Sequence, residues 1–186
     1  MQSVEVTEDV EKIGVAYLRT RLAGCRALGH PVGMPFQITL GTIAMTRAVL
    51  PQFRKRGAGV IVNVTSSVTL RPLSLLAVYT ASKAAVNAFT ESLAHELVPF
   101  GVRTHLVIPG RSPETAFGTN ARTRMGMDVP EAYGDLAGKV FANFQQATEE
   151  LTRASDVAEA VWRAATDPAC PMRLPAGADA VAWAAA

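Results

Sequence analysis

The chain has 186 residues, the size of one ordinary globular domain. A composition of 49% hydrophobic and 18% charged residues excludes a disordered or fibrous protein. The formal net charge of +2 comes from both signs scattered along the chain, which excludes the electrostatic footprint of a nucleic-acid-binding surface.

The cysteines and the N-terminal residues indicate the cellular setting. Cys25 and Cys170 are far apart and form no CxxC pair, which favours a reducing compartment. The first eleven residues are acidic where a signal peptide would be basic and then apolar. No apolar run reaches the length of about 18 residues that a membrane span needs. We therefore expect a cytoplasmic protein with no membrane partner.

The first 35 residues carry little regular pattern. Residues 2–6 alternate briefly and predict a short strand, and a helix that opens at Glu8 should end before Gly24. Helix breakers throughout residues 24–35 predict a loop. The glycines there follow no convincing strand and open no clear helix, so they do not match a nucleotide-binding loop.

The middle of the chain predicts a strand–helix–strand unit. Apolar residues at multiples of three and four predict a helix over 36–56, which Pro51 should kink or shorten. Residues 60–64 are mostly β-branched and predict a parallel strand that is covered on both faces. A helix over 78–98 and a strand over 102–108 follow. A crossover of this length predicts a right-handed parallel connection and hence an α/β, Rossmann-like sheet with flanking helices.

The predicted helix over 78–98 has one stripe of apolar residues spaced by four. Its members are Ala81, Ala85, Phe89, Leu93 and Leu97. Small alanines allow close approach to the sheet or to a partner's helix. We expect a homo-oligomer that forms through helices 36–56 and 78–98.

The last third predicts a loop, two helices and a strand. Residues 111–128 are polar and should form a mobile loop over the rim of the sheet. Asp128 should cap one helix with Pro130 at its first position, and Ser155 should cap the next. The inward-facing residues predicted for the second of these helices are Val157, Ala158, Val161, Trp162 and Ala165. Residues 172–178 predict a last short strand.

Three side chains of the strand–helix–strand unit have the chemistry of a proton-transfer site. Ser66 follows the first strand, while Tyr79 and Lys83 are four residues apart and share one helix face. Parallel strands end at the same edge of a sheet, so Ser66 and Pro109-Gly110 should lie on one rim. An ammonium about 4 Å away can lower a phenol pKa towards neutrality. The alternative is a strand-end hydroxyl beside a tyrosine of the core.

Other reaction classes lack their residues. A serine hydrolase needs a Gly-x-Ser-x-Gly turn or an equivalent and an acid–histidine pair, and none has suitable spacing. The three histidines, His30, His95 and His105, are scattered and should be structural or solvated rather than metal ligands. We therefore predict no metal site.

Several segments together make the chain resemble the short-chain dehydrogenase/reductase family. They are the trio Ser66, Tyr79 and Lys83, the strand Gly59–Asn63, the helix segment Glu91–Leu97 and the pair Pro109-Gly110. The likeness runs over roughly residues 36–180. It implies an NAD- or NADP-dependent oxidoreductase that transfers a hydride between the cofactor and a small-molecule carbonyl or alcohol substrate.

The resemblance also implies a role for each site residue. Tyr79 would donate or accept the proton, and Ser66 would position the substrate oxygen. Lys83 would hold the nicotinamide ribose and lower the pKa of Tyr79. Pro109-Gly110 and Thr115, together with Tyr79 and Lys83, would bind the cofactor.

The chain departs from the family pattern in its first part. The family opens with a strand and a Gly-rich turn that cradles the pyrophosphate, and residues 1–35 contain neither. Ile38 stands where the family usually has an asparagine. We therefore interpret residues 1–35 as a divergent remnant and 36–186 as the C-terminal portion of such a domain. This interpretation predicts weak or absent nucleotide binding. Its alternative is a truncated, non-catalytic module that pairs with itself or with a complete relative.

Overall fold

The computed structural model describes residues 33–120, 129–145 and 151–186. Its helices and strands are α1 (Gly33–Arg56), β1 (Gly59–Val64), α2 (Ala77–Leu97), β2 (Val102–Pro109), α3 (Gly134–Gln145), α4 (Ala154–Thr166), β3 (Arg173–Ala176) and α5 (Ala178–Ala185). Short 3-10 turns lie at Ser67–Thr69, Val98–Phe100 and Glu131–Tyr133. The predicted strand over 2–6, the helix from Glu8 and the cap at Asp128 lie outside the described residues.

The three described strands form one parallel sheet in the order β1-β2-β3. In the register between β1 and β2, Val64 is paired with Val107, and Pro109 of β2 is paired with Ala176 of β3. This confirms the predicted parallel α/β fold and the predicted last strand. The carboxyl ends of all three strands meet at one edge, which positions Ser66 and Gly110 on the same rim.

Helices cover both faces of the sheet, and each face has its own hydrophobic cluster. The cluster between the sheet and helices α1 and α2 contains Leu50, Ile61, Leu93, Leu97 and Val102. The cluster under α4 contains Val107, Ala164, Cys170, Leu174 and Ala176. Consecutive residues of β1, Ile61 and Val62, contribute to opposite clusters, because side chains alternate along a strand. This two-sided burial explains why β1 and β2 are so rich in branched apolar residues.

Helix α1 is longer at its start than predicted, and Pro51 does not shorten it. It begins at Gly33, so the loop predicted over 24–35 is wrong for residues 33–35. Pro35 lies in the first turn, where a backbone N–H has no helical partner to lose. Pro51 neither ends nor shortens the helix, which continues to Arg56. Pro51 is exposed, on the side of α1 away from the sheet.

Helix α2 buries a different stripe from the predicted one near its start. Ala81 and Ala85 are exposed, while Ser82, Lys83 and Val86 are buried. One polar contact on this face joins α2 to α1: the Thr39 hydroxyl donates to the Ser82 carbonyl at 3.0 Å. The face of α2 that contacts the molecule therefore includes polar residues, which an apolar pattern does not detect.

The helices of the last third correct three predictions. Val157 and Val161 of α4 face inward as predicted, but Ala158, Trp162 and Ala165 are exposed, and Ala160 and Ala164 pack inward in their place. Arg153, not Ser155, occupies the N-cap of α4, and its backbone N–H donates to the Asp156 carboxylate at 2.8 Å. Pro130 caps the 3-10 turn that precedes α3 rather than opening α3 itself.

The segment after β2 is only partly a loop. Residues 117–120 are helical, so the loop predicted over 111–128 is wrong there. Residues 121–128 lie outside the described residues. Across the described parts of the chain, no helix combines the length and apolar character that crossing a bilayer requires.

Candidate active site

Ser66 lies at the point where β1 ends and the chain turns. Its backbone is extended, with φ of −168° and ψ of 148°, and its Oγ accepts a hydrogen bond from the Val68 N–H at 3.4 Å. The serine thus caps the 3-10 turn over Ser67–Thr69, a role for which serine is well suited. Behind it, the Asn63 amide donates to the Thr90 hydroxyl at 2.8 Å and ties β1 to α2. The end of the strand is therefore well anchored.

Tyr79 is in the first turn of α2 and projects from that turn towards Ser66. Its backbone carbonyl accepts a hydrogen bond from the Ser82 hydroxyl at 2.7 Å. Its ring contacts the Phe117 ring, with 6.3 Å between centroids and an angle of 51° between the planes. Phe117, which is 60% exposed, was not among the predicted site residues. It covers one side of the phenol from the segment that follows β2.

Lys83 is one helical turn further along α2 and is only 8% exposed. Its Nζ donates to the carbonyl oxygen of Val64 at 3.3 Å and lies 5.9 Å from the centre of the Tyr79 ring. This separation is near the outer limit for a cation–π contact. Burial lowers the pKa of Lys83, because a low-dielectric environment disfavours the ammonium.

The pKa of Tyr79 moves in the opposite direction from the predicted one. Burial raises it above the ordinary value of 10.0, and the side-chain hydrogen bond with Ser66 lowers it by less. Lys83 does not reverse this effect, since its ammonium lies over the ring and donates to Val64 rather than to the phenol. The phenol is therefore in its protonated form at neutral pH.

Pro109 and Gly110 end β2 at the same rim. The Gly110 N–H donates to the carbonyl oxygen of Ala176 at 3.3 Å and to Thr152 Oγ1 at 3.0 Å. A Cβ at Gly110 would collide with the carboxylate of Asp179, so only glycine fits without displacing that side chain. Thr152 and Asp179 were not among the predicted site residues.

Thr115 is engaged in its own turn. Its hydroxyl donates to the Ser112 carbonyl at 2.9 Å and accepts from the Phe117 N–H at 3.4 Å. The structure does not bring Thr115 into a described contact with Ser66, Tyr79 or Lys83. Through Phe117 it instead helps to place the ring that packs on Tyr79.

Metal chemistry finds no support in the described part of the chain. No group of three or more histidine, cysteine, aspartate or glutamate residues there could hold an ion. The side chains at the rim are a phenol, an ammonium and a hydroxyl. Together they can donate and stabilise protons and hold hydroxyl groups of a ligand.

Comparisons with known proteins agree with this chemistry. The family model described as short chain dehydrogenase matches residues 37–126. The uncharacterized oxidoreductase YusZ of Bacillus subtilis is 35% identical over 127 residues, which are 68% of this chain and 45% of that protein. The 2-(R)-hydroxypropyl-CoM dehydrogenase of Xanthobacter autotrophicus is 38% identical over 115 residues, which are 62% of this chain and 41% of that protein.

A solved structure gives the same result for the fold. The closed form of serine dehydrogenase complexed with NADP+ superimposes with a TM-score of 0.58 and 32% identity, over 74% of this chain and 51% of that one. The chain thus spans about half the length of the proteins that it matches. None of these comparisons supports the non-catalytic alternative.

Proposed function

We propose that this chain, which belongs to the short-chain dehydrogenase family by its residues 37–126, is an oxidoreductase for a small-molecule carbonyl or alcohol. Its cofactor would be NAD or NADP. The observation that carries the proposal is the position of Tyr79. Its phenol is held in the first turn of α2, with Ser66 at the strand end on one side and Lys83 on the next turn.

The residues at the rim fit one half of a nicotinamide dinucleotide. Lys83 is buried at the site and, among the described residues, uses one of its three N–H donors on Val64, so others can hold the ribose hydroxyls. No Gly-rich turn leads from a strand into a helix within residues 33–120, 129–145 and 151–186. These residues therefore fit the nicotinamide and its ribose, and they do not account for the pyrophosphate.

Each residue then has a defined task in the proposed reaction. The cofactor, when bound, supplies or accepts the hydride. The Tyr79 hydroxyl gives its proton to the carbonyl oxygen of the substrate, since a phenol whose pKa lies above 10.0 carries that proton at neutral pH. The Ser66 hydroxyl donates to the same oxygen and stabilises its developing negative charge. Lys83 holds the ribose, and the exposed ring of Phe117 shields one side of the phenol from water.

We include self-association through α1 and α2 in the proposal. Large apolar side chains are exposed on both helices, among them Met45 at 57% and Val78 at 42%. The exposed alanines Ala81 and Ala85 would allow a second helix to approach closely. Size-exclusion chromatography with light scattering tests this part, and a monodisperse monomer at high concentration would contradict it.

Titration with NADH and NADPH tests the function. We expect the wild-type chain to bind at least one of the two nucleotides, measured by nucleotide fluorescence, and to oxidise it in the presence of a small aldehyde or ketone. Tyr79→Phe should still bind and should lose turnover by about a hundredfold or more, the usual contribution of a general acid. Tyr133→Phe is the matched control, because Tyr133 is 52% exposed and outside the site. Binding of neither nucleotide would overturn the proposal.

A further inference from the structure

The two residues that follow β2 are held by groups from distant parts of the chain. The Arg111 N–H donates to Asp179 Oδ2 at 2.7 Å, and the Arg111 carbonyl accepts from the Thr152 N–H at 2.9 Å. Gly110 donates to Thr152 Oγ1 at 3.0 Å. Asp179 is in the first turn of α5, and Thr152 precedes α4. The backbone of the rim therefore depends on a contact between two elements that come later in the chain.

Thr152 and Asp179 form a buried pair. Thr152 is 1% exposed and Asp179 is 5% exposed. The Thr152 Oγ1 is 2.6 Å from Asp179 Oδ1 and 2.8 Å from the Ala176 carbonyl, but a hydroxyl has only one proton to donate. Donation to the carboxylate is the charge-assisted choice, and Gly110 then fills an acceptor position of the same hydroxyl.

Two glycines permit this close packing. A Cβ at Gly110 would collide with the Asp179 carboxylate, and a Cβ at Gly177 would collide with Thr152. Gly177 also has a φ of +95°, a conformation that other residues rarely adopt. Because these two glycines have no side chain, Asp179 packs directly against the backbone after β2, and Thr152 packs against the backbone after β3.

A buried carboxylate is an expensive way to gain stability. Its desolvation is costly, and apolar residues of similar volume often stabilise a core equally well. What a carboxylate does provide is fixed acceptor positions for backbone N–H groups. Those groups belong here to the rim that carries Pro109 and Gly110, where the proposed nicotinamide half of the cofactor would lie.

We infer that Thr152 and Asp179 are positioning residues that hold the Gly110–Arg111 backbone in the conformation that contacts the nicotinamide half of the cofactor. The inference rests on the proposed function, because it takes Pro109 and Gly110 as part of the cofactor site. The pair itself need not touch the nucleotide. Its effect reaches the ligand through the two peptide groups to which it is hydrogen-bonded.

Four substitutions separate positioning from general stability. Thr152→Val removes the hydroxyl and keeps the shape of the side chain, and Thr152→Ser restores the hydroxyl. Asp179→Ala removes both acceptors. Thr104→Val is the matched control, because Thr104 is 6% exposed and its hydroxyl bonds to the Thr90 carbonyl and to Met172 Sδ, away from Gly110 and Ser66.

Two measurements on the full chain complete the test. Amide hydrogen exchange of the peptide that contains Gly110 and Arg111 is followed without nucleotide, and the dissociation constants for NADH and NADPH are determined by fluorescence. In Thr152→Val and Asp179→Ala we expect exchange to be about tenfold faster and nucleotide binding to be about tenfold weaker. Thr152→Ser and Thr104→Val should keep both values within about twofold of wild type.

The possible contradictions are distinguishable. If Thr152→Val and Asp179→Ala bind NADH and NADPH as tightly as the wild-type chain does, the positioning role is overturned and the proposed function stands. An equal loss of affinity in Thr104→Val would also overturn it, because the effect would then be general destabilisation. Binding of neither nucleotide by the wild-type chain would overturn the proposed function and, with it, the role of the pair.

Discussion

The ammonium of Lys83 donates a hydrogen bond to the carbonyl oxygen of Val64 across 3.3 Å, which ties the middle of α2 to the last residue of β1. This contact keeps the charge of Lys83 inside the molecule, where the side chain is 8% exposed. Burial of an ammonium costs free energy, and a single carbonyl partner offsets only part of that cost. Stability alone therefore does not account for the burial of Lys83.

The first prediction follows from that cost. Burial lowers the pKa of Lys83 from 10.5, so the penalty is fully present below the folded-state pKa. This penalty disappears as the pH rises towards 10.5, because Lys83 loses its proton at a lower pH in the native state than in the unfolded state. Lys83→Met should be at least as stable as wild type at pH 7, and its advantage should shrink as the pH approaches 10.5. Urea unfolding at several pH values checks this.

The same variant should lose ligand binding. We expect Lys83→Met to bind NADH and NADPH about tenfold more weakly or worse, since it has no donor for the ribose. Lys139→Met is the control, because Lys139 is an exposed residue of α3. A large loss of stability at pH 7 in Lys83→Met would show that the hydrogen bond to Val64 outweighs the cost of burial.

A second prediction concerns the titration of Tyr79. Burial raises the pKa of Tyr79 above 10.0, and the hydrogen bond with Ser66 opposes this rise. The ultraviolet absorbance of the wild-type chain and of Tyr79→Phe is followed as the pH rises. The difference between the two curves reports Tyr79, and its midpoint should lie above pH 10.0. In Ser66→Ala the midpoint should move still higher, because the opposing hydrogen bond is absent. A midpoint that falls below 10.0 in the nucleotide-free chain would contradict this account.

A third prediction compares two arginines. Arg103 donates to the carbonyls of Asp167 at 2.8 Å and Ala165 at 3.1 Å, and so satisfies the C-terminal end of α4. Arg103→Met should lower the free energy of unfolding by about 2 kcal/mol, the usual range for a hydrogen-bonded charge. Arg173→Met should lower it by less than about 1 kcal/mol, because Arg173 pairs with Glu91 at the exposed surface. Urea denaturation measures the free energy of unfolding of both variants. Equal losses would argue against the capping role of Arg103.

A fourth prediction uses two glycines with almost the same backbone. Gly57 has a φ of +64° and Gly101 a φ of +63°, so alanine is strained at either position by about 1 kcal/mol. A Cβ at Gly57 would meet no atom within 4 Å, whereas a Cβ at Gly101 would lie 2.6 Å from the Gly57 carbonyl oxygen. Gly101→Ala should therefore be clearly more destabilising than Gly57→Ala. Similar losses in thermal unfolding would mean that the backbone around Gly57 yields easily.

The local pattern of the sequence determined the strand–helix–strand unit and the places of Ser66, Tyr79 and Lys83 within it. Branched apolar residues in β1 and β2, and the spacing of four between Tyr79 and Lys83, are properties of nearby residues, and they predict which groups share a face. The parallel order of the strands then follows from the length of the crossover. That is why the predicted positions of Ser66, Tyr79 and Pro109 needed little correction.

Only the tertiary structure decided what surrounds those groups. Whether Lys83 lowers the pKa of Tyr79 depends on where its ammonium points, and the sequence spacing leaves that direction open. The contact of Arg111 with Asp179 joins residues 68 positions apart, and no local pattern marks either as a partner. Packing selects such pairs because a buried polar group must find its hydrogen bonds wherever the folded chain supplies them.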